Sequence, residues 1–249
     1  MNDSYKNTNK FIIKQAQLTL PLGNQCQAIQ VVKYDLNQYK DSLYSTFDIE
    51  QPNESKQWLD KRKAQFLAGR FATRQALKVI STKNETIHIG KHREPLWGEN
   101  IVGSISHGNG MSIATAQIKT SPNQSIGLDI QAILSDQEIS DSAIIVLTPN
   151  DEKVLTKEDH TYSYNQLFTL LFSAKESFFK AAFQEVGEYF DFDVMSLKSI
   201  DIESQTLVLI CEKTLSNNII SDSEFSLNFS YLEMTHSVFI TYCVFPHPK

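Results

Sequence analysis

Two periods of apolar and polar residues alternate along this chain, and the switches between them mark its elements. Residues 27–35 (QAIQVVKYD) alternate as a strand. From 58 to 80, alanines and large apolar residues recur at helical spacing. Strand-like runs follow at 85–90 (ETIHIG), 100–107 (NIVGSISH) and 111–118 (MSIATAQI). The polar stretch 120–125 (TSPNQS), with Pro122, is the best boundary. Beyond it, 125–131 (SIGLDIQ) alternates again and a second helix covers 164–186. The end is β-rich: LKSIDIES, TLVLICEK, then EFSLNFSYLE and SVFITYCVF around a turn at 234–236. Each half, 1–123 and 124–249, thus holds a principal helix followed by antiparallel strands, an α+β pattern. There is no close sequence repeat, so duplication of one unit rests on element order alone.

Three segments set charged or polar groups beside apolar faces. In 125–131, Ile126, Leu128 and Ile130 share one face of the strand, and Gly127, Asp129 and Gln131 share the other. An acid and an amide then sit side by side, next to a glycine that admits a close ligand. An ordinary half-exposed strand has the same pattern. In 171–183 (LFSAKESFFKAAF), Leu171, Phe172, Phe178, Phe179, Ala182 and Phe183 form a wide apolar arc at about 100° per residue. Glu176 and Lys180 are an i,i+4 pair on its edge beside Ser173. Lys175 lies inside the arc, and a buried ammonium needs an anion. In 61–77 (KRKAQFLAGRFATRQAL), Lys63, Arg70 and Arg74 share an arc with Leu59, Phe66, Leu67 and Leu77. The opposite side is Ala64, Ala68, Ala72 and Ala76, a candidate close-packed face. The basic residues either snorkel past apolar neighbours or present guanidinium groups to a partly enclosed anion.

Charge sharpens that choice. The net charge is −6, yet between Lys61 and Arg93 nine Lys/Arg stand against Glu85 alone, leaving −14 elsewhere. A local basic block on an acidic chain fits one anionic ligand better than nucleic acid, although a solvated helix face would show the same charge. At 41% hydrophobic, the 249 residues suffice for one sizeable core or two small ones. No run approaches the roughly 18 apolar residues of a membrane helix. The first residues, MNDSYKNTNKFIIKQ, lack the apolar core of a signal peptide, so a cytoplasmic protein without a membrane span is expected. Cys26, Cys211 and Cys243 are scattered, which argues against disulfides and zinc. His88 and His92 are four apart but flank a strand end rather than share a helix face. In 103–108 (GSISHG), a small residue, Ser106 and His107 at a strand end can hydrogen-bond a phosphate. Ser106 and His107 point to opposite faces and there is no G-x-S-x-G elbow, which argues against a serine hydrolase.

In order and spacing, the basic KR-x-x-x-FLAGR helix, REPLW, GSISH, G-x-D-x-Q and FSAKESFFKA resemble the phosphopantetheinyl transferase superfamily, in its long single-chain surfactin type. The resemblance runs from Lys61 to Asp193, including YFDFDV after the second helix. It implies a pseudo-twofold pair of similar α/β subdomains with coenzyme A held in the cleft between them. It implies transfer of phosphopantetheine from coenzyme A to a serine of an acyl, peptidyl or aryl carrier protein, with Mg²⁺ as cofactor and a siderophore or other nonribosomal peptide or polyketide pathway as context. Carried over residue by residue, Asp129 and Glu176 match the magnesium-binding acids and Lys180 the lysine at the pyrophosphate. Ser106 and His107 match the pair at the nucleotide phosphates. Lys61, Arg62, Arg70 and Arg93 match the basic region for the 3′-phosphate and adenine end. The family usually has a second acid where this chain has Gln131, which then offers the metal a neutral oxygen. The halves joined in one chain make a monomer the simplest expectation. A coenzyme A or carrier-protein binding module without catalysis, and a metal-dependent phosphodiesterase, are the alternatives.

Overall fold

In a computed structural model of the chain, residues 10–22, 25–82, 86–157, 161–233 and 236–245 are described. A first, four-stranded antiparallel sheet has the order β1-β2-β6-β5, built from β1 (Ile12–Leu22), β2 (Gln25–Tyr34), β5 (Ile101–Gly108) and β6 (Met111–Ile118). Between β2 and β5 come a one-turn helix α1 (Leu43–Thr46), the long α2 (Asp60–Val79), and a small hairpin of β3 (His88–Ile89) and β4 (Pro95–Leu96). A second, five-stranded sheet has the order β7-β11-β10-β9-β8. Its strands are β7 (Ser125–Ala132), β8 (Met195–Asp201), β9 (Thr206–Cys211), β10 (Glu224–Leu232) and β11 (Val238–Phe245). Helices α3 (Asp136–Val146), α4 (Pro149–Leu155) and α5 (Tyr164–Val186) lie between β7 and β8. No helix among the described residues is long and apolar enough to cross a membrane.

Both sheets repeat one local plan. A strand leads to a long helix, and a later hairpin returns so that its last strand pairs with the first: β2-α2-β5-β6 and β7-α5-β10-β11. The layers run α2, first sheet, second sheet, α5. Ala64, Ala68, Ala72 and Ala76, all essentially inaccessible, let α2 lie close against Val32 and Ala114. The opposite faces of the two sheets meet through Ile29, Val102 and Ile113 on one side and Ile126, Leu128, Ile130 and Ile240 on the other. The far face of the second sheet receives α5 through Phe178, Ala181 and Ala182. There a Cβ at Gly127 would fall 1.7 Å from the Ser177 carbonyl oxygen, so only glycine permits this helix–strand approach.

Several expectations change here. The strand at 125–131 is not half-exposed: from Ser125 to Ile130 it is buried on both faces, between the first sheet and α5. Leu59 is 80% exposed rather than part of the α2 apolar arc, because it stands as the residue before the helix proper. The strand at 85–90 shrinks to His88–Ile89, and Glu85 lies outside the described residues. Of the turn at 234–236, only His236 is described. Unforeseen were β1, α3 and α4. The two helices carry reciprocal capping boxes, Ser135 with Glu138 and Thr148 with Asp151. Lys175, 1% exposed, has the anion it requires in Asp151, 0% exposed, at 2.6 Å. Its Nζ also donates to the Val146 carbonyl at 2.7 Å, and Asp151 Oδ1 accepts from Leu197 N at 2.5 Å. That pair therefore ties α4, α5 and β8 together rather than serving a ligand.

Candidate active site

The site forms at a seam. β5 is an edge strand of the first sheet and β7 an edge strand of the second, and the two strands are in contact, with side chains of β5 meeting the backbone of β7. An unpaired strand edge needs hydrogen-bond partners or cover. Here Ser104 Oγ accepts from Leu128 N at 3.0 Å. At Gly108 the strands run so close that a Cβ would stand 2.8 Å from the Ile130 carbonyl oxygen. This contact brings Ser106 of β5 to Asp129 of β7.

Asp129, 5% exposed, is held on both oxygens. Its Oδ1 accepts from Ser106 Oγ at 2.7 Å and from Lys180 Nζ at 2.7 Å. Its Oδ2 accepts from Ser173 Oγ at 2.8 Å. Lys180 donates further to Ser106 Oγ at 3.0 Å and to the Leu128 carbonyl at 3.1 Å, which uses all three of its protons. Behind Ser173 stands Thr241 of β11 at 2.9 Å, and Ser177 reaches the same hydroxyl at 2.7 Å. Hydroxyls from α5 and β11 thus fix the carboxylate from behind. Glu176, one residue after Lys175 on α5, is half-buried, and no hydrogen bond from the described residues reaches its carboxylate. Burial pushes its pKa up, Lys180 pulls it down, and Asp129 adds to the rise. It is a carboxylate held at some cost beside another carboxylate, the arrangement that perturbs acids at functional sites.

His107 follows Ser106 on β5 and so points to the other face, toward α2. Arg62 Nη1 lies 2.9 Å from its Nε2. A guanidinium only donates, so the ring accepts there and is neutral with its proton on Nδ1. Burial, together with Arg62 and Lys180 nearby, lowers the His107 pKa, in keeping with that form. Arg62 stacks over Trp58 at 5.5 Å and Arg70 over Phe66 at 4.8 Å. With Arg93 these residues line a pocket of about 140 Å³. Burial foremost, then Arg62, pushes the Arg70 pKa down to about 10. Arg70 Nη1 is buried with no partner, and its Nη2 makes only a long bond to the His88 carbonyl at 3.4 Å. Three guanidinium groups converge on a pocket lined by no carboxylate, and an anion is the ligand that such a lining fits. A larger depression of about 940 Å³ lies beyond Phe66 and Arg70, but Asp48, Glu50 and Glu54 line it along with Arg74 and Lys78. Its mixed charge, against a lining with three guanidinium groups and no carboxylate, makes the smaller pocket the better anion site, and His107 in that lining adjoins Ser106 of the Asp129 cluster.

The expected residues therefore divide. Asp129, Lys180 and Ser106 are bonded together, with Glu176 in their electrostatic reach. Arg62, Arg70, Arg93 and His107 share the adjoining pocket. Lys61 stands exposed at the start of α2, outside that lining. Arg74, for which the sequence left snorkelling and an anion both open, spends its guanidinium on the Phe47 and Asp48 carbonyls. Gln131 lies on the Asp129 face of β7, half-buried, with Nε2 donating to the Ala132 carbonyl at 3.2 Å. Ser104, Thr241 and Trp58 were not foreseen. A tryptophan one turn before a basic helix was the available signal for Trp58, whereas the two hydroxyl residues had none.

Among the described residues, no three of His, Cys, Asp or Glu cluster as a metal site. Asp129 and Glu176 are nonetheless a donor set that suits Mg²⁺, which takes one or two carboxylates and completes its octahedron with water and substrate phosphates. The half-buried, unbonded carboxylate of Glu176 is consistent with that fit.

Comparison with known proteins adds a family to this geometry. Residues 51–117 match the family model of the 4′-phosphopantetheinyl transferase N-terminal domain. Residues 125–235 match that of the 4′-phosphopantetheinyl transferase superfamily. The chain is 35% identical to enterobactin synthase component D of Escherichia coli O157:H7 over 137 residues, 55% of this chain and 63% of that protein. It is 35% identical to the protein of the same name from Salmonella typhimurium over 121 residues, 49% of this chain and 48% of the other. With the 4′-phosphopantetheinyl transferase Npt of Nocardia iowensis it shares 30% over 136 residues, 54% of this chain and 58% of that protein. The matches thus span less than two thirds of these relatives' lengths. The two family models together cover more than two thirds of the 249 residues, and they take in the seam, the basic pocket and α5. The chain belongs to the 4′-phosphopantetheinyl transferase superfamily.

Proposed function

We propose that this protein moves the 4′-phosphopantetheine arm of coenzyme A onto a serine of an acyl, peptidyl or aryl carrier protein and releases 3′,5′-ADP, as a holo-[acyl-carrier-protein] synthase type transferase. The observation that carries the reading is one strand, β5, with Ser106 on the Asp129–Lys180 cluster and His107 in the guanidinium pocket. A ligand with a nucleotide phosphate at one end and a pyrophosphate further along would lie across both. The names of the relatives, enterobactin synthase component D and Npt, support a siderophore or other nonribosomal peptide context.

Arg62, Arg70 and Arg93 bind and orient the phosphorylated nucleotide end, and neutral His107 adds a hydrogen bond without repelling them. Lys180, 2.7 Å from Asp129, lies where it can offset charge on the pyrophosphate as 3′,5′-ADP leaves. Asp129 and Glu176 would hold Mg²⁺, with Gln131 offering a neutral oxygen, and the bound ion supplies positive charge to the pyrophosphate. Glu176 accepts the proton of the carrier serine, directly or through water, as that oxygen attacks the β-phosphorus. Its raised pKa makes it a better base than an exposed carboxylate. One P–O bond forms to serine and one breaks to 3′,5′-ADP. The halves 1–123 and 124–249 contribute the two sides of this site, and we take the working unit to be a cytoplasmic monomer.

Incubation with coenzyme A, Mg²⁺ and several apo carrier proteins, followed by intact mass measurement, tests the reading. A carrier heavier by one phosphopantetheine group is the expected result. Consumption of coenzyme A without carrier modification would make the protein a phosphodiesterase. Binding with neither outcome would make it a binding module.

A further inference from the structure

The turn that carries Arg93 is over-determined within its own hairpin. Gly90 N donates to the Glu94 carbonyl at 2.8 Å and Arg93 N to the Gly90 carbonyl at 3.0 Å. His92 N donates to Glu94 Oε2 at 2.8 Å. Arg93 itself has φ 66°, a left-handed conformation that costs a non-glycine residue energy and persists only where neighbours enforce it. None of these bonds, however, fixes where the hairpin sits relative to α5.

Contacts from the second half of the chain do that. Tyr189, just past the left-handed Gly187 that ends α5, donates its hydroxyl to the His92 carbonyl at 2.9 Å. The His92 ring meets the Tyr189 and Phe183 rings edge-on, each at 5.6 Å. Tyr189 in turn stacks on Phe179 at 5.7 Å and touches Phe183 at 5.5 Å. Phe179 and Phe183 follow Glu176 and Lys180 by one helical step each, so the aromatic cluster continues the face of α5 that bears the candidate chemistry. Tyr189 is 65% exposed. Burial does not explain a large ring held by a hydrogen bond and three ring contacts at the surface, and attachment of the hairpin does.

We infer that His92 and Tyr189 form a latch that fastens the Arg93 turn to the end of α5, and so set the spacing between the guanidinium pocket and Lys180. They are positioning residues, because neither lines the pocket nor touches Asp129. The inference rests on the transferase reading: a ligand that spans both clusters feels their spacing, whereas one that occupied a single cluster would not.

The test is coenzyme A binding by calorimetry, with and without Arg93. Tyr189→Ala should weaken coenzyme A about five- to tenfold, and Tyr189→Phe, which keeps the ring and loses one hydrogen bond, about two- to threefold. In an Arg93→Ala background, neither substitution should weaken binding further by as much as about twofold, since the latch acts through Arg93. The steady-state counterpart is a rise in KM for coenzyme A that exceeds any fall in kcat. Equal affinity in wild type and Tyr189→Ala would overturn the latch, as would a loss of the same size with or without Arg93. Tyr189→Phe keeps the test open should Tyr189→Ala not fold. Wild-type protein that fails to bind coenzyme A would overturn the latch and the transferase reading together. Wild-type binding with unaffected variants would overturn the latch alone.

Discussion

The Asp129 cluster and the guanidinium pocket adjoin, yet they are held by opposite means. Asp129 sits on a strand buried on both faces and takes three side-chain hydrogen bonds, with Thr241 and Ser177 bracing it from behind. Arg62 and Arg70 rest on aromatic rings, and Arg70 keeps a buried Nη1 without a partner. The first cluster is preorganised, so its members need not rearrange as charge develops. The second is under-satisfied, and the donors it leaves unpaired are what an incoming phosphate would bond. Under the proposed transfer, chemistry and ligand capture would call for different wiring, and adjacent residues of one strand, Ser106 and His107, stand in the two clusters.

Substitutions that separate the clusters sharpen this contrast. The largest effect is expected from Asp129→Ala, which removes the anion that organises Lys180, Ser106 and Ser173. Carrier modification should fall at least about a hundredfold, with coenzyme A affinity in the absence of Mg²⁺ changed far less. A folded Asp129→Ala protein with near wild-type transfer would dissolve the contrast. Next comes a pair on α2. Arg70→Ala should weaken coenzyme A about tenfold or more, the worth of a hydrogen bond to a charged group, with little change in kcat. Arg74→Ala should leave coenzyme A affinity alone and lower stability by about 1–2 kcal/mol, since its bonds go to backbone carbonyls. Titration calorimetry and denaturant unfolding check the two together, and a reversal of roles would move the pocket to the α2 face beside Arg74.

A smaller effect is expected in the half-maximal Mg²⁺ concentration. Gln131→Glu adds a hard oxygen on the Asp129 face and should lower that concentration about two- to fivefold at saturating coenzyme A. No change would place residue 131 outside the metal's reach. The smallest effect concerns stability and pH. Burial raises the Glu176 pKa in the folded protein, so the folded state binds the proton more tightly than the unfolded chain does. Stability then falls as pH rises from the ordinary carboxylate range through the folded pKa, and the deficit persists at neutral pH. Glu176→Gln should raise Tm at pH 7 by about 2–4 °C for each kcal/mol relieved, and the gain should vanish below about pH 4, where both states are protonated. A gain that persisted in acid would show that the glutamine acts through packing, and the carboxylate would lose its claim to be perturbed by burial. Transfer should fall in the same variant, so stability and activity should move in opposite directions.

Periodicity in the sequence was enough to place α2, α5, β5, β6, β7 and the C-terminal strands, because each is long and its apolar residues repeat at 3.6 or 2. It also exposed Lys175 as a buried cation in need of a partner. Helices α3 and α4 were readable only through their capping boxes, S-D-Q-E and T-P-N-D, since short helices with exposed residues such as Ile144 show no clean stripe. β1 alternates from Ile12 onward but begins beside a polar leader that hides it. The identity of the candidate site residues was carried by motifs, Asp129 in SIGLDIQ and Glu176 and Lys180 in FSAKESFFKA.

By itself the sequence determined which residues are hydrophobic at which period, hence the two long helices, most of the strands and the candidate acids and bases of the site. The tertiary structure alone decided that β5 and β7 meet. It decided that Asp151 answers Lys175, that Arg74 is spent on carbonyls while Arg70 is not, and that Tyr189 reaches His92 across 97 positions. The physical reason is range. Local periodicity reflects neighbours within a turn or a pleat, whereas the pairing of a buried charge or a strand edge depends on which distant group the packing of four layers brings within about 3 Å.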